Sequence, residues 1–120
     1  MMSRVRVAYP ILNRKQVVDR LIETCVDLAR KLPISLVILF GSYASGRNTA
    51  GSHIDLLVVY RGDRMEDAYN LVVDSIRLPR LEPRIYTEEE FHLLLAGSPR
   101  FAEVLTKEGI AIMGRLRGAE

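Results

Sequence analysis

The chain has 120 residues and a mass of 13.6 kDa, which is the size of one domain with a single core. Apolar residues make up 48% of the chain and charged residues 27%, a balance that excludes a disordered chain. The formal net charge of +2 is too small to indicate sequence-independent binding to nucleic acid, so no nucleic-acid partner is predicted.

The sequence also indicates a compartment. No apolar run approaches the roughly 20 residues that a membrane-spanning helix needs, so no membrane contact is predicted. The first ten residues, MMSRVRVAYP, lack the apolar core of a signal peptide. The single cysteine, Cys25, has no partner for an internal disulfide and is predicted to be a buried structural thiol. Together these features predict a cytoplasmic protein. Scarce Asn and Gln fit a thermophile, but also a GC-rich genome.

The first half of the chain predicts a helix, a strand and a turn. The helix begins after Asn13, a residue type that caps helices, and ends at Pro33. The segment ISLVILF, residues 34–40, is apolar throughout, which is typical of a strand covered on both faces. Gly41 and Ser42 end this strand, and a short helical turn follows them. Apolar residues recur in the helix at helical spacing, at Val17, Val18, Leu21, Ile22, Cys25, Leu28 and Leu32.

The second half alternates strands and helices. A strand is predicted over residues 53–60, a helix over 65–78 before Pro79, and a weaker strand over 81–86 that contains Pro83. Two helices follow, the first after a capping box of Thr87 and Glu90, the second from Pro99 to Gly109. The segment IAIMG closes the chain as a short strand. This order predicts one domain, residues 1–120, with an α/β (α+β) two-layer fold in which helices pack on a short mixed sheet.

The join between the two apolar strands is the candidate site. Gly41 allows a ligand to approach the backbone, and the amides of the following turn with the Ser42 hydroxyl would form a phosphate cradle. His53 and Asp55 are two residues apart on a strand, so their side chains point to the same face. A buried carboxylate needs a partner, so Asp55 is expected to be paired, exposed at the strand end or bound to a metal.

The segment GSYASG followed by SHID and an apolar strand resembles the signature of the minimal nucleotidyltransferases (MNT), small members of the DNA polymerase beta-like superfamily. The later segments IYTEEEF and KEGIAIMG also resemble family members. The resemblance implies that Gly41 and Ser42 hold the triphosphate of ATP and that carboxylates bind Mg²⁺ or Mn²⁺. It implies transfer of AMP to a protein or other hydroxyl acceptor. Members are often paired, as antitoxins, with helical HEPN-domain toxins, so such a partner is expected here.

The sequence departs from the family pattern at three positions. His53 stands where the family has the first Asp of an Asp-x-Asp pair, and Ser45 replaces the usual Arg of the loop. Arg84 aligns with the third carboxylate, whereas Glu82 lies two residues earlier and shares its face if Pro83 leaves the strand regular. Imidazole is a poor ligand for Mg²⁺, but Mn²⁺ or Zn²⁺ accepts it more readily.

Two interpretations therefore stay open: a metal-dependent nucleotidyltransferase, and a catalytically impaired relative that acts as a non-enzymatic nucleotide- or partner-binding module. Tyr43 either stacks on the base of the nucleotide or belongs to the core. The oligomeric state, including a homo-oligomer, is not determined by the sequence. The candidate site consists of Asp55 and Glu82 as catalytic residues, Asp55 and His53 as metal ligands, and Gly41, Ser42 and Tyr43 as nucleotide-binding residues.

Three further groups have structural and functional explanations. Three consecutive acids, residues 88–90, suit the first turn of a helix better than a metal site, because the helix dipole favours negative charge there. His92 is interpreted as a surface residue. Arg77, Arg80 and Arg84 either line a solvated edge or meet an anionic substrate.

Overall fold

The computed structural model describes residues 12–116. The first ten residues, to which the signal-peptide prediction applies, lie outside this range. Among the described residues, no helix is both long enough and apolar enough to cross a membrane. The helices are α1 (Arg14–Lys31), α2 (Ser42–Ser45), α3 (Ala68–Ile76), α4 (Glu88–Gly97) and α5 (Pro99–Glu108). The strands are β1 (Ile34–Phe40), β2 (Ile54–Tyr60), β3 (Leu81–Thr87) and β4 (Ile110–Met113).

The four strands form one mixed sheet in the order β3-β2-β1-β4. Strand β1 is antiparallel to both β2 and β4, whereas β2 and β3 are parallel and are connected through α3. The predicted α/β fold with a short mixed sheet is therefore confirmed. Because β3 lies at the edge of the sheet, Pro83 costs no interior ladder bond and the register with β2 runs without interruption.

Helices pack on both faces of the sheet, which makes three layers instead of the two predicted from the sequence. One face joins α1 and α3 to alternate residues of the central strands, with Leu39, Leu56 and Val58 in the same apolar cluster as Leu21 and Val72. The residues between them face α4 and α5, in a second cluster that contains Ile38, Leu57, Val59, Phe91 and Leu105. Burial on both faces explains why β1 and β2 are apolar almost throughout. The same alternation places Asp55 on the face of α4 and α5.

Most predicted boundaries agree with the structure, and the exceptions have local causes. Asn13 caps α1, accepting a 2.8 Å hydrogen bond from the Gln16 amide. The sequence predicts Ile22 on the buried face of α1, but this prediction is wrong because Ile22 is 49% exposed. It follows Leu21, which is among the α1 residues that are buried against the sheet. Helix α3 is shorter than predicted, ending at Ile76 because Arg77 adopts a left-handed conformation (φ 52°).

The start of α4 confirms the predicted capping box. The Glu90 amide donates to Thr87 Oγ1 (3.1 Å), and the Thr87 amide donates to Glu90 Oε1 (2.9 Å). Arg64 reaches the same carboxylate through two 2.9 Å hydrogen bonds, and these bonds hold the pKa of Glu90 below its usual value. Glu90 is thus explained by helix capping, and Glu88 and Glu89 lie in the same first turn of α4. Cys25 is buried as predicted, and burial raises the pKa of its thiol to about 11.

Replacement of Thr87 by alanine tests the capping box. Thr87→Ala removes the acceptor of the Glu90 amide and should cost about 1 kcal/mol of unfolding free energy, lowering Tm by several degrees. Thr106→Ala is the matched control, because Thr106 is an exposed residue inside α5 whose hydroxyl only donates back to the Ala102 carbonyl. Thermal unfolding should show little change for this control. Equal loss of Tm in both variants would contradict the account.

Candidate functional site

The backbone of Gly41 lies directly against the carboxylate of Asp55. Strand β1 ends at Phe40, which is paired with Asp55 in the ladder, so the next residue turns across that side chain. Gly41 has a φ of +77°, and a Cβ added there would overlap Asp55 Oδ2 and lie 3.3 Å from Asp55 Cβ. Glycine is thus required both by the conformation and by the close approach.

The predicted turn after Gly41 is the short helix α2. The Ser45 amide donates to the Gly41 carbonyl (3.1 Å) and the Arg47 amide donates to the Ser42 carbonyl (2.9 Å). In this geometry the amides of the first residues of the turn have no partner within the helix. These amides and the Ser42 hydroxyl are the donors that could meet a phosphate group.

Tyr43 lies in the core. It is 5% exposed, belongs to the apolar cluster of α1 and α3, and its hydroxyl donates to the Leu12 carbonyl (3.3 Å). This placement favours the packing interpretation over contact with a nucleotide base.

Three of the predicted residues are brought together at the start of β2 and β3. Asp55 and Glu82 are direct neighbours in the parallel ladder. His53 Nδ1 lies 3.0 Å from Glu82 Oε2, and both side chains are 55% exposed. Since β3 is regular through Pro83, Glu82 and Arg84 share the face of Asp55.

The carboxylate of Asp55 is poorly compensated. Burial raises its pKa above the ordinary value of 3.8, and the negative charge of Glu82 raises it further, while the charges of Arg84 and His53 oppose this increase. Within residues 12–116, the carboxylate of Asp55 accepts no hydrogen bond and forms no ion pair. A half-buried carboxylate of this kind, beside a second carboxylate, is typical of a functional site rather than of a structural contact.

The arginines that the sequence groups together diverge in the structure. Arg77 lines a shallow cleft at the ends of α1 and α3, and Arg80 donates to the Ala50 carbonyl (2.7 Å). Arg84 instead lies at the site, with its guanidinium carbon 5.9 Å from the ring centroids of both Phe40 and Phe101. The sequence did not predict a role at the site for either phenylalanine. Phe101 comes from α5, and no local pattern connects it with the strands.

The donor set limits the metal that the site could take. No group of three or more His, Cys, Asp or Glu side chains within residues 12–116 is arranged to hold a metal ion. Mg²⁺ usually takes one or two protein carboxylates and completes its shell with water and substrate phosphates. Asp55 and Glu82 supply that number, and the missing Cβ of Gly41 leaves the room that the Asp55 carboxylate occupies. The residues therefore fit one divalent cation, and they do not fit a pair, because His53 replaces the first carboxylate.

Comparison with known proteins agrees with this geometry. The model of the family described as "Nucleotidyltransferase domain" matches residues 18–112, which include both strands of the site. The chain belongs to the nucleotidyltransferase domain family. Among curated proteins, none is significantly similar to it in sequence.

Solved structures share the fold of this family member. A nucleotidyltransferase candidate from Sulfolobus solfataricus superposes with a TM-score of 0.54 at 19% identity, over 88% of this chain and 86% of that one. A toxin–antitoxin structure with AMP-PNP gives 0.54 at 18% identity, over 82% and 77% of the two chains. The complex of a tri-AMPylated Shewanella oneidensis HEPN toxin with an MNT antitoxin gives 0.51 at 16% identity, over 85% and 73%. These structures share the fold, and the predicted resemblance to nucleotidyltransferases is confirmed by the family match.

A pair of glycine variants tests the contact between Gly41 and Asp55. Gly41→Ala should unfold the protein at a lower temperature than Gly46→Ala, because only the first adds a methyl group that overlaps Asp55. Gly46 lies in the left-handed helical region (φ 82°, ψ 10°), whereas Gly41 (φ 77°, ψ -153°) has a conformation that is essentially confined to glycine, so conformation and overlap both penalise Gly41→Ala more. Thermal unfolding measures the difference, and equal Tm values would contradict the close approach.

The raised pKa of Asp55 predicts a pH-dependent penalty. Because the folded-state pKa lies above 3.8, ionised Asp55 destabilises the metal-free fold at neutral pH, and the penalty disappears as pH falls through that pKa towards 3.8. Asp55→Asn should therefore raise Tm at pH 7 in the presence of a chelator, and the two Tm values should converge below pH 4. A variant that melts lower than wild type at pH 7 would mean that the carboxylate makes a net favourable contact.

Proposed function

We propose that this chain is a minimal nucleotidyltransferase that binds ATP at the Gly41–Ser42 turn and transfers its AMP group to a hydroxyl acceptor. The observation that carries the proposal is the position of Asp55 against the Gly41 backbone with Glu82 beside it. This arrangement places a carboxylate pair next to the turn that begins at Gly41. The membership of the family and the folds of the similar structures support it.

The turn would bind the phosphates through hydrogen bonds. The amides at the start of α2 and the Ser42 hydroxyl would be the donors, and Gly41 lets the backbone before them lie directly against Asp55. The Asp55 carboxylate repels the triphosphate, so positive charge close to Asp55 would strengthen the binding of ATP.

Asp55 and Glu82 would hold one Mg²⁺ or Mn²⁺ ion together with the phosphates of ATP. When bound, this ion supplies positive charge to the triphosphate and makes the α-phosphorus easier to attack. His53 contacts Glu82 and thereby orients that carboxylate. The imidazole of His53 lies beside these carboxylates, and Mn²⁺ accepts imidazole as well as oxygen ligands. We therefore expect Mn²⁺ to support the binding of ATP at least as well as Mg²⁺.

Glu82 would act as the general base in the transfer. Its side chain is half exposed, so an acceptor hydroxyl can reach it while its proton is removed. The hydroxyl oxygen then forms the new bond to the α-phosphorus, and pyrophosphate leaves. The acceptor that we propose is a HEPN-type helical protein, for which this chain would be the antitoxin. The fold shared with the MNT antitoxin of the AMPylated HEPN toxin supports this assignment.

A second function is favoured by the two cationic replacements at the site. His53 and Arg84 carry or can carry positive charge where the resembled family has carboxylates, which weakens metal binding. Under this alternative the chain binds a nucleotide or a partner protein without transfer, and neutralises the partner by contact.

Label transfer from α-labelled ATP to a HEPN-type protein, in the presence of Mn²⁺, separates the two functions. Wild type should label the acceptor, and Asp55→Asn should reduce the rate at least about 100-fold. Asp63→Asn is the matched control, because Asp63 is an exposed carboxylate in the turn after β2, at the far end of that strand. No labelling by wild type, with the HEPN-type protein bound and neutralised equally by wild type and Asp55→Asn, would establish the contact alternative.

A further inference from the structure

Arg84 occupies the part of the site where a third carboxylate is expected from the family pattern. It follows Glu82 by two residues on β3, so its side chain projects from the same face about 6.6 Å further along the strand. Its Cα partner in the ladder is Leu57, two residues after Asp55. The Arg84 guanidinium lies over the ring of Phe40, which is the ladder partner of Asp55, so Arg84 and Asp55 share one region of this face.

Two aromatic rings fix the position of the Arg84 guanidinium. Its central carbon lies 5.9 Å from the ring centroid of Phe40 and 5.9 Å from that of Phe101. The two rings contact each other edge to face, with centroids 5.7 Å apart and planes at 84°. Phe40 is only 8% exposed, so this support is itself held in the core. Cation–π contacts of this kind position a guanidinium without using its N–H groups.

The donors of Arg84 are available to a ligand. Within residues 12–116, its guanidinium makes no hydrogen bond and no ion pair, although Asp55 and Glu82 are on the same face. A guanidinium presents five N–H donors in a planar fork that matches two phosphate oxygens. An arginine that is stacked on two rings and unpaired beside a phosphate-binding turn has the properties of an anion ligand.

The charge balance of the site gives this arginine a role. One divalent cation cancels only the charges of Asp55 and Glu82, which leaves the triphosphate of ATP without compensation from the metal. We propose that Arg84 binds the triphosphate of ATP and supplies from the protein the positive charge that a second metal ion would otherwise bring. The inference rests on the proposed binding of ATP at the Gly41–Ser42 turn. It adds that part of the affinity for ATP persists without any divalent cation.

Calorimetric titration of ATP in the presence of a chelator tests the inference through binding rather than activity. Wild type should bind ATP measurably, and Arg84→Met should weaken this metal-free binding at least about tenfold, because a charge-assisted bidentate contact is lost. Arg84→Lys should give an intermediate affinity, since it keeps the charge but loses the planar fork. Arg84→Glu should bind ATP only when Mg²⁺ or Mn²⁺ is added.

Arg61→Met is the matched control. Arg61 is an exposed arginine directly after β2, at the end of that strand opposite the site. The substitution therefore removes the same charge as Arg84→Met at a position away from the proposed phosphate site. It should bind ATP as wild type does, and thermal unfolding of every variant checks that the fold is retained. Equal metal-free affinity of wild type and Arg84→Met would overturn this inference while leaving the proposed function intact. Failure of wild type to bind ATP with or without metal would overturn both.

Discussion

The contact between the Gly41 backbone and the Asp55 carboxylate determines most of what this site can do. It joins the end of one central strand to the start of the next, so the rigid centre of the sheet fixes its geometry. A carboxylate held in this position loses part of its hydration and gains no hydrogen bond in return. The fold tolerates this cost because both faces of β1 and β2 are buried under helices, which provide the stability. Under the proposed function, this carboxylate is prepared for a cation that arrives with the nucleotide.

The surroundings of Asp55 differ from a site made of carboxylates alone. His53 directs its imidazole to Glu82, and Arg84 brings a permanent positive charge supported by two aromatic rings. Both side chains bring or can bring positive charge to a site that would otherwise hold carboxylates, which weakens the attraction for metal ions. Under the proposed function and the proposed role of Arg84, one divalent cation and this fixed guanidinium share the neutralisation of the triphosphate. The protein would then depend less on metal than a site made of carboxylates alone.

The sequence was most informative where one local pattern determines the structure. The apolar run of β1, the capping boxes at Asn13 and Thr87, and the glycine turn at Gly41 all follow from short-range chemistry, and their positions are confirmed. Side-chain alternation also placed His53 and Asp55 on one face before the register was known.

Long-range packing accounts for what could not be predicted. The pairing of Asp55 with Glu82 depends on how β3 aligns with β2 in parallel, which no local pattern encodes. The aromatic support of Arg84 includes Phe101, which lies seventeen residues later in α5. Tyr43 directly follows the Gly41–Ser42 turn, but its side chain is buried in the apolar cluster that also contains residues of α1 and α3. The grouping of the site residues thus depends on long-range packing, whereas the Gly41–Ser42 turn could be predicted from the local sequence.

The most direct test of the central claim is to locate the bound nucleotide by NMR. Amide signals of the ¹⁵N-labelled protein would be recorded during titration with ATP and a trace of Mn²⁺, whose unpaired electrons broaden nearby signals. The account predicts that broadening centres on the amides of Gly41, Ser42 and Glu82 and is lost in Asp55→Asn. Broadening that centres instead on the cleft lined by Arg30, Lys31 and Arg77, or that is absent, would contradict it.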